Sequence, residues 1–285
     1  MPEAREPESG VGDLYDRVND VLAEAMGGFL HGGYWRGPDD PSSVEEAGVR
    51  LTDFVSDRLR LAPGDRVLDV GSGNGRATAH IARRHGVSVT GITLSPYQAR
   101  QAAELAEAYG LADSVDFQVH DMLDLSFPEG SFDAAYAIET VCHAQDRTDV
   151  FSGLARVLRP GGMVTVTDFL LVRPLESEDH RSLVEDAMKN YQQGPMLTRS
   201  AYEECVRAGG LEVVEFLDIG EFVRPSYRIV GGALARSEEA LRDLVTEEEF
   251  RYMVNDLGRF GDITELGYAV VTARRPEAPT PKARS

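Results

Sequence analysis

Residues 66–75, RVLDVGSGNG, constrain the fold more than any other stretch of the chain. Val67, Leu68 and Val70 form an apolar run too short for a helix and suited to a strand buried on both faces. The run ends in alternating glycines, Gly71, Gly73 and Gly75, residues used where backbone takes a positive φ or approaches a ligand. A helix-like segment follows. Strand, glycine turn and helix N-terminus together make a nucleotide-type cofactor site at the carboxyl edge of a parallel sheet. The dinucleotide fingerprint needs its third glycine where Arg76 stands, and the Gly-Lys-Ser/Thr ending of a phosphate-gripping loop is absent.

The surrounding chain supports a sheet of this kind. Residues 13–26 carry Leu14, Val18, Val21, Leu22 and Ala25 at helical spacing, and Gly27-Gly28 ends the run. Ser43, with Glu46 three residues on, forms a capping box for a second helix ending near Leu59. From Arg66 onward strands and helices alternate with short connections. Strands are expected at 66–70, 87–92, 115–119, 132–138 and 163–171, with helices to Arg84, over 96–109 and over 150–158. Helices over 177–191 and 200–208, a strand over 211–217, one or two amphipathic helices within 237–258 and a strand over 266–273 complete the reading. The expected organisation is an acidic leader (1–12), an N-terminal helical cap segment (13–62), a cofactor-binding core (63–172), remaining core strands with substrate-cap helices (173–276) and a disordered tail (277–285).

A net charge of −19 argues against nucleic acid and anionic membrane surfaces as partners. The longest apolar run, residues 163–172, is broken by Thr165, Thr167 and Asp168 and is too short to span a bilayer. Cys142 and Cys205 are the only cysteines, which gives no disulfide framework. With no signal peptide visible, a soluble, cytoplasmic protein is expected.

Three further segments carry chemistry. In GITLSPYQ (91–98) the position where many nucleotide folds place a ribose-binding acid holds Thr93, with Leu94, Ser95 and Gln98 beside it. Ser95 also suits the cap of a helix beginning at Pro96. In HDMLDL (120–125), Asp121 suits an adenine amino group and Met122 its ring. In YAIETVCHAQD (136–146), Glu139 and His143 are four apart and share a face if the segment is helical; either can act as a base or hold a polar network.

These segments, in this order and with FPEGSFDAAYAIE and ARVLRPGGMVTVTDF, resemble class I S-adenosylmethionine (SAM) methyltransferases from Arg66 to about Leu171. SAM has no phosphate, so a glycine turn without basic residues suits it. The resemblance implies a Rossmann-like α/β fold: a mostly parallel seven-stranded sheet with helices on both faces and a helical cap. It implies SAM held by Gly71, Ser72, Gly73, Asn74, Gly75, Thr93, Leu94, Gln98, Asp121, Met122, Glu139 and His143. TLS with Gln98, and YAIETVCHA, are similar to sterol and tocopherol-type C-methyltransferases, with bacterial small-molecule methyltransferases sharing them. The expected acceptor is therefore a small, largely apolar molecule, with a lean to carbon methylation of an isoprenoid or an olefinic or aromatic carbon. Oxygen or nitrogen methylation is the alternative, and a SAM-binding protein that rearranges or only binds its ligand is another. A nicotinamide oxidoreductase is disfavoured by Arg76 and by Thr93 in place of an acid. Glu139, His143 and Tyr15 are the candidate catalytic residues, and Tyr34, Trp35, Tyr191 and Tyr227 the candidate acceptor contacts. No metal is expected, and a homo-oligomer is left open.

Overall fold

The computed structural model describes residues 11–37 and 39–277, with the side chains of 11–15 outside that description. The leader and tail expected from the sequence fall largely outside the described residues, and so does the side chain of Tyr15. Seven strands, β1 (Arg66–Val70), β2 (Ser88–Thr93), β3 (Val115–Val119), β4 (Phe132–Ala137), β5 (Leu158–Leu171), β6 (Glu212–Asp218) and β7 (Leu266–Arg274), form one sheet in the order β3-β2-β1-β4-β5-β7-β6. The first five run parallel. β7 lies antiparallel between β5 and β6, so the sheet is mixed at one strand. Strand order reverses between β1 and β4, which opens a crevice beyond their carboxyl ends, the usual ligand position in an open α/β sheet.

Local sequence explains most helix starts. The first helix, α1 (Val11–Ala25), begins inside the expected leader. α2 (Val44–Ser56) opens on the capping box, with Ser43 Oγ accepting from the Glu46 amide and the Glu46 carboxylate accepting from the Ser43 amide. α3 (Arg76–His85) stops at Gly86, whose φ of +66° suits glycine. α4 (Pro96–Ala108) has Ser95 as its cap and proline in its first turn. α5 (Arg147–Val157) starts earlier than its apolar residues suggest, because Asp146 caps it by accepting from the Thr148 amide. β5 also starts early. Leu158 already pairs with Phe132, and the Pro160-Gly161-Gly162 run makes a bulge inside the strand instead of a turn before it.

Alternate residues of β1 serve different faces of the sheet. Leu68 and Val70 join a core with Phe151 and Leu154 of α5, while Val67 joins one with Leu51 and Val55 of α2 and Ile81 of α3. Helices α6 (Glu178–Asn190) and α7 (Arg199–Ala208) follow β5, and α7 packs with α5. After β6 the chain forms α8 (Gly220–Val223), α9 (Pro225–Arg236), α10 (Glu238–Arg242), α11 (Glu247–Arg251), a π-helical turn (Tyr252–Asp256) and α12 (Leu257–Phe260). The sequence reading placed nothing at α8 and α9, and expected one or two longer helices where α10 to α12 stand. A third apolar cluster joins Val18 and Leu22 of α1, Leu183 of α6, Val230 and Leu234 of α9, and Tyr252, Met253 and Phe260. This cap sits over the carboxyl edge of the sheet and forms a roof for the crevice.

Candidate active site

The turn after β1 folds back on β2, with the amides of Gly71 and Ser72 both donating to the Ile92 carbonyl at 2.9 and 2.8 Å. Gly71 has φ +82° and Gly73 φ +51°, and a Cβ at Gly71 would run into the Thr140 side chain. Both glycines line a cavity at the carboxyl ends of β1, β2 and β4 with about 750 Å³ of atom-free space, part of it open to solvent. Thr93, Leu94, Gln98, Met122, Glu139 and His143 line the same cavity, as does Ser95. Leu30, His120 and Thr140 also line it, and the sequence motifs do not single them out. Thr93 and Gln98 are already joined, the Thr93 hydroxyl donating to Gln98 Oε1 at 2.9 Å. Gln98 Nε2 in turn donates to Oδ1 of Asn19 on α1 at 3.2 Å, and Asn19 Nδ2 donates to Gln101 Oε1 at 2.6 Å. A polar seam therefore ties the cavity wall to the N-terminal helix.

Four residues expected at the cofactor do not line this cavity. Ser72 is buried and its hydroxyl donates to the Ile92 carbonyl at 3.3 Å. Asn74 donates to the Gly28 carbonyl at 2.9 Å and so anchors the loop after α1. Gly75 serves packing, since a Cβ there would stand 2.6 Å from the Ala102 Cβ of α4. Asp121 is exposed, with Oδ1 accepting from the Leu123 amide at 2.9 Å, and does not line the cavity. Asp69, in β1, accepts from Thr78 at 2.5 Å and Tyr136 at 2.7 Å, and burial pushes its carboxyl up to about 6. It braces the turn from below.

A second, more apolar chamber lies under the cap, with about 800 Å³ of atom-free space, again partly open. Leu22 and Met26 of α1, Phe169 of β5, Tyr191, Tyr227, Tyr252 and Phe260 line it. Leu30 and Glu139 line both cavities and form the wall between them. Glu139 stands at φ +52°, before a one-turn 3-10 segment (Val141–His143), so the helical spacing expected between Glu139 and His143 does not occur. The Glu139 amide donates to Thr167 Oγ1 at 3.0 Å. Its Oε1 accepts from the Gly32 amide at 2.9 Å and from the Tyr268 hydroxyl at 2.8 Å. Oε2 has no hydrogen-bond partner among the described residues. Burial raises the Glu139 pKa, against the lowering pull of those two donors. His143 lines only the first cavity, with Nδ1 3.4 Å from the Gln192 carbonyl, and burial lowers its pKa.

The turn carrying these two residues is held from behind by a buried ion pair. Arg147 Nε lies 3.2 Å from Asp168 Oδ2, both side chains almost fully buried. The same guanidinium donates to the carbonyls of Cys142, at 3.1 Å, and Ala144. Burial pushes Asp168 up to about 6 despite the nearby guanidinium.

The acceptor aromatics divide. Tyr191 and Tyr227 line the chamber, and Phe169 and Tyr252, which no sequence signal singles out, join them. Tyr34 and Trp35 line neither cavity. Tyr34 is stacked between Phe54 and Phe222, with ring centroids 5.1 and 5.0 Å away. Trp35 is buried and donates through Nε1 to Ser226 at 3.0 Å. Their loop is instead structural: the Gly33 amide also donates to Ser226, at 2.9 Å, and buried His31 is bonded to Gly32 and Thr52. This loop presents Leu30 and the Gly32 amide to the wall between the cavities.

Comparison with known proteins agrees with this geometry. The family model described as "Methyltransferase domain" matches residues 68–166. The chain is 35% identical over 265 residues to "O-methyltransferase resE" of Aspergillus sclerotiorum, covering 93% of this chain and 96% of that one. It is 34% identical to "27-O-demethylrifamycin SV methyltransferase" of Amycolatopsis mediterranei, covering 94% and 97%. Among solved structures, the "[4+2]-Cyclase SpnF" is similar with a TM-score of 0.82 and 30% identity, covering 98% of this chain and 99% of that one. Among the described residues no helix is long and apolar enough to cross a membrane.

Proposed function

This chain belongs to the class I SAM-dependent methyltransferases, and we propose that it methylates a hydroxyl oxygen of a small, largely apolar metabolite. SAM fits the first cavity on the chain's own terms. Positive-φ glycines leave room where a Cβ would clash, no Lys or Arg among the described residues lines the cavity to match a phosphate, and Met122 and Leu94 offer apolar faces. Gly71, Gly73, Thr93, Leu94, Gln98, Met122, Glu139 and His143 would hold it. Bound there, SAM supplies an electrophilic methyl group. The cap excludes water and aligns the acceptor.

The observation that carries the oxygen reading is the position of Glu139. It is a carboxylate in the wall shared by the two cavities, fixed through Oε1, with Oε2 without a partner among the described residues. A hydroxyl that takes a methyl group must lose its proton, and Glu139 Oε2 would receive it. Burial strengthens Glu139 as a base. The relatives named O-methyltransferase and 27-O-demethylrifamycin SV methyltransferase add support for oxygen. His143, neutral through burial, would position the reacting groups.

Carbon methylation is the second reading, favoured by the aromatic rings of Phe169, Tyr191, Tyr227, Tyr252 and Phe260 around the chamber. Such faces stabilise a carbocation. The test is product profile across hydroxylated and olefinic acceptors with Glu139→Gln and His143→Ala. A single methyl ether formed more slowly supports oxygen. Olefin isomers or cyclised products whose distribution shifts in the variants overturn it.

A further inference from the structure

We infer that the chamber under the cap takes a neutral acceptor carrying several oxygen functions, held by hydrogen bonds from the phenol hydroxyls of Tyr191, Tyr227 and Tyr252. The inference deepens the methylation reading above and rests on it for the identity of the chamber as the acceptor site. All three side chains line the chamber, and Tyr191 and Tyr252 meet edge-on with ring centroids 5.5 Å apart. None of the three hydroxyls has a hydrogen-bond partner among the described residues. Tyr268, nearby, shows the contrast: its hydroxyl is bonded to both Glu139 and Thr167.

Tyr252 is only 2% exposed. Its hydroxyl, like those of Tyr191 and Tyr227, is not among the buried partnerless atoms, so all three open onto the chamber, where an apolar ligand would strip them of water at a cost unless it accepts from them. Phenylalanine would fill the same volume without that cost, so a hydrocarbon acceptor gives no reason for tyrosine at three points of one wall. An acceptor with carbonyl, ether or hydroxyl oxygens at those points does. Burial raises the pKa of each phenol, which keeps all three protonated and therefore donors at neutral pH.

Charge narrows the class further. Among the described residues no Lys, Arg or His lines the chamber, and Glu139 is the one carboxylic acid there. Arg224, the guanidinium near Tyr227, spends its donors on the carbonyls of Gly261, Ile263 and Leu266. A carboxylate or phosphate on the acceptor would be desolvated beside Glu139 with no cation to match it. Anionic acceptors are therefore excluded.

The test is equilibrium binding of four probes, naphthalene, a naphthol, a naphthalenediol and a hydroxynaphthoate, in the presence of S-adenosylhomocysteine. One net hydrogen bond is worth about three- to tenfold in affinity. The diol should bind about tenfold or more tighter than naphthalene, and the hydroxynaphthoate more weakly than the naphthol. In the triple variant Tyr191→Phe, Tyr227→Phe, Tyr252→Phe the diol advantage should fall to about threefold or less. Naphthalene binding, unchanged in that variant, serves as the control for folding. Equal affinity for naphthalene and the diol in the unmodified protein overturns the inference, as does a diol advantage that survives the triple variant, or a hydroxynaphthoate that binds tighter than the naphthol. The assay reads binding alone, so failure of methyl transfer leaves its outcome untouched.

Discussion

Glu139→Gln is the substitution with the sharpest expected signature. The amide oxygen can still accept from the Gly32 amide and the Tyr268 hydroxyl, at present 2.9 and 2.8 Å away, so the wall between the cavities should keep its shape. What is lost is the second carboxylate oxygen as a proton acceptor. General-base catalysis contributes about 10²–10⁴-fold, which corresponds to about 3–5 kcal/mol of barrier at about 1.4 kcal/mol per factor of ten. That loss should fall on kcat, with the KM for SAM changed little. The pH dependence follows from burial, which raises the Glu139 pKa in the folded protein. Wild-type activity should climb with pH through that raised value as the base ionises, and the variant should lack this limb. Stability moves in the opposite sense. A raised folded pKa means that Glu139 contributes stability below its unfolded pKa and loses it as pH rises through the folded value. The glutamine is neutral throughout, so the variant should melt no lower than wild type at pH 7. Initial rates of S-adenosylhomocysteine release with a hydroxylated acceptor, beside melting curves, check both halves. A variant within about threefold of the wild-type rate would falsify the role given to Glu139.

Other perturbations test the parts around it. Gly73→Val places a branched side chain at φ +51°, with the new Cβ 3.0 Å from Leu30, and should abolish SAM binding by calorimetry; an unchanged affinity in a folded variant would remove the turn from the site. Asp69→Asn should alter stability in a pH-dependent way. Burial pushes the folded Asp69 carboxyl up to about 6 from its ordinary value of 3.8, so its contribution is present below about pH 4 and lost as pH rises through about 6. The variant should therefore gain on wild type by about 3 kcal/mol between those limits, and a parallel pair of stability curves would contradict this. Asn19→Ala leaves Gln98 Nε2 and Gln101 Oε1 without their partner on α1, so amide exchange in residues 16–30 should speed up while the sheet stays protected. Unchanged exchange there would show that the seam does not hold the helix down.

Much of the fold was legible because local signals and tertiary demands agree. The capping box at Ser43 and Glu46, the glycine turn after β1 and the proline start of α4 each read correctly from a few residues. The signal failed where local and tertiary preferences part. The α9 segment carries Gly231-Gly232, weak helix formers, and is helical because Val230 and Leu234 are needed in the cap core. The Pro160-Gly161-Gly162 run reads as a turn, yet pairing between Leu158 and Phe132 draws it into the sheet.

The site shows the same division. Gly71, Gly73, Thr93, Gln98 and Met122 sit at fixed offsets from strand ends, so sequence alone brought them to one cavity. Glu139 was legible as a candidate, but not its left-handed backbone, which no Glu announces. Tyr34 and Trp35 looked like ligand aromatics because a loop rich in rings suggests a pocket wall; stacking and burial absorb them instead. The chamber draws on α1, β5, α9 and the π-helical turn, and nothing in one of these segments reports that the others lie opposite it.

The central claim is that the chain places the methyl group of SAM on oxygen across the wall formed by Glu139 and Leu30. Its most direct test is transfer from SAM carrying an isotope-labelled methyl group to a hydroxylated, neutral acceptor, with the labelled position located by nuclear magnetic resonance. The account predicts label in a methyl ether, at a rate that collapses in Glu139→Gln. Label on a carbon atom, or S-adenosylhomocysteine released with no label in the acceptor, would contradict it.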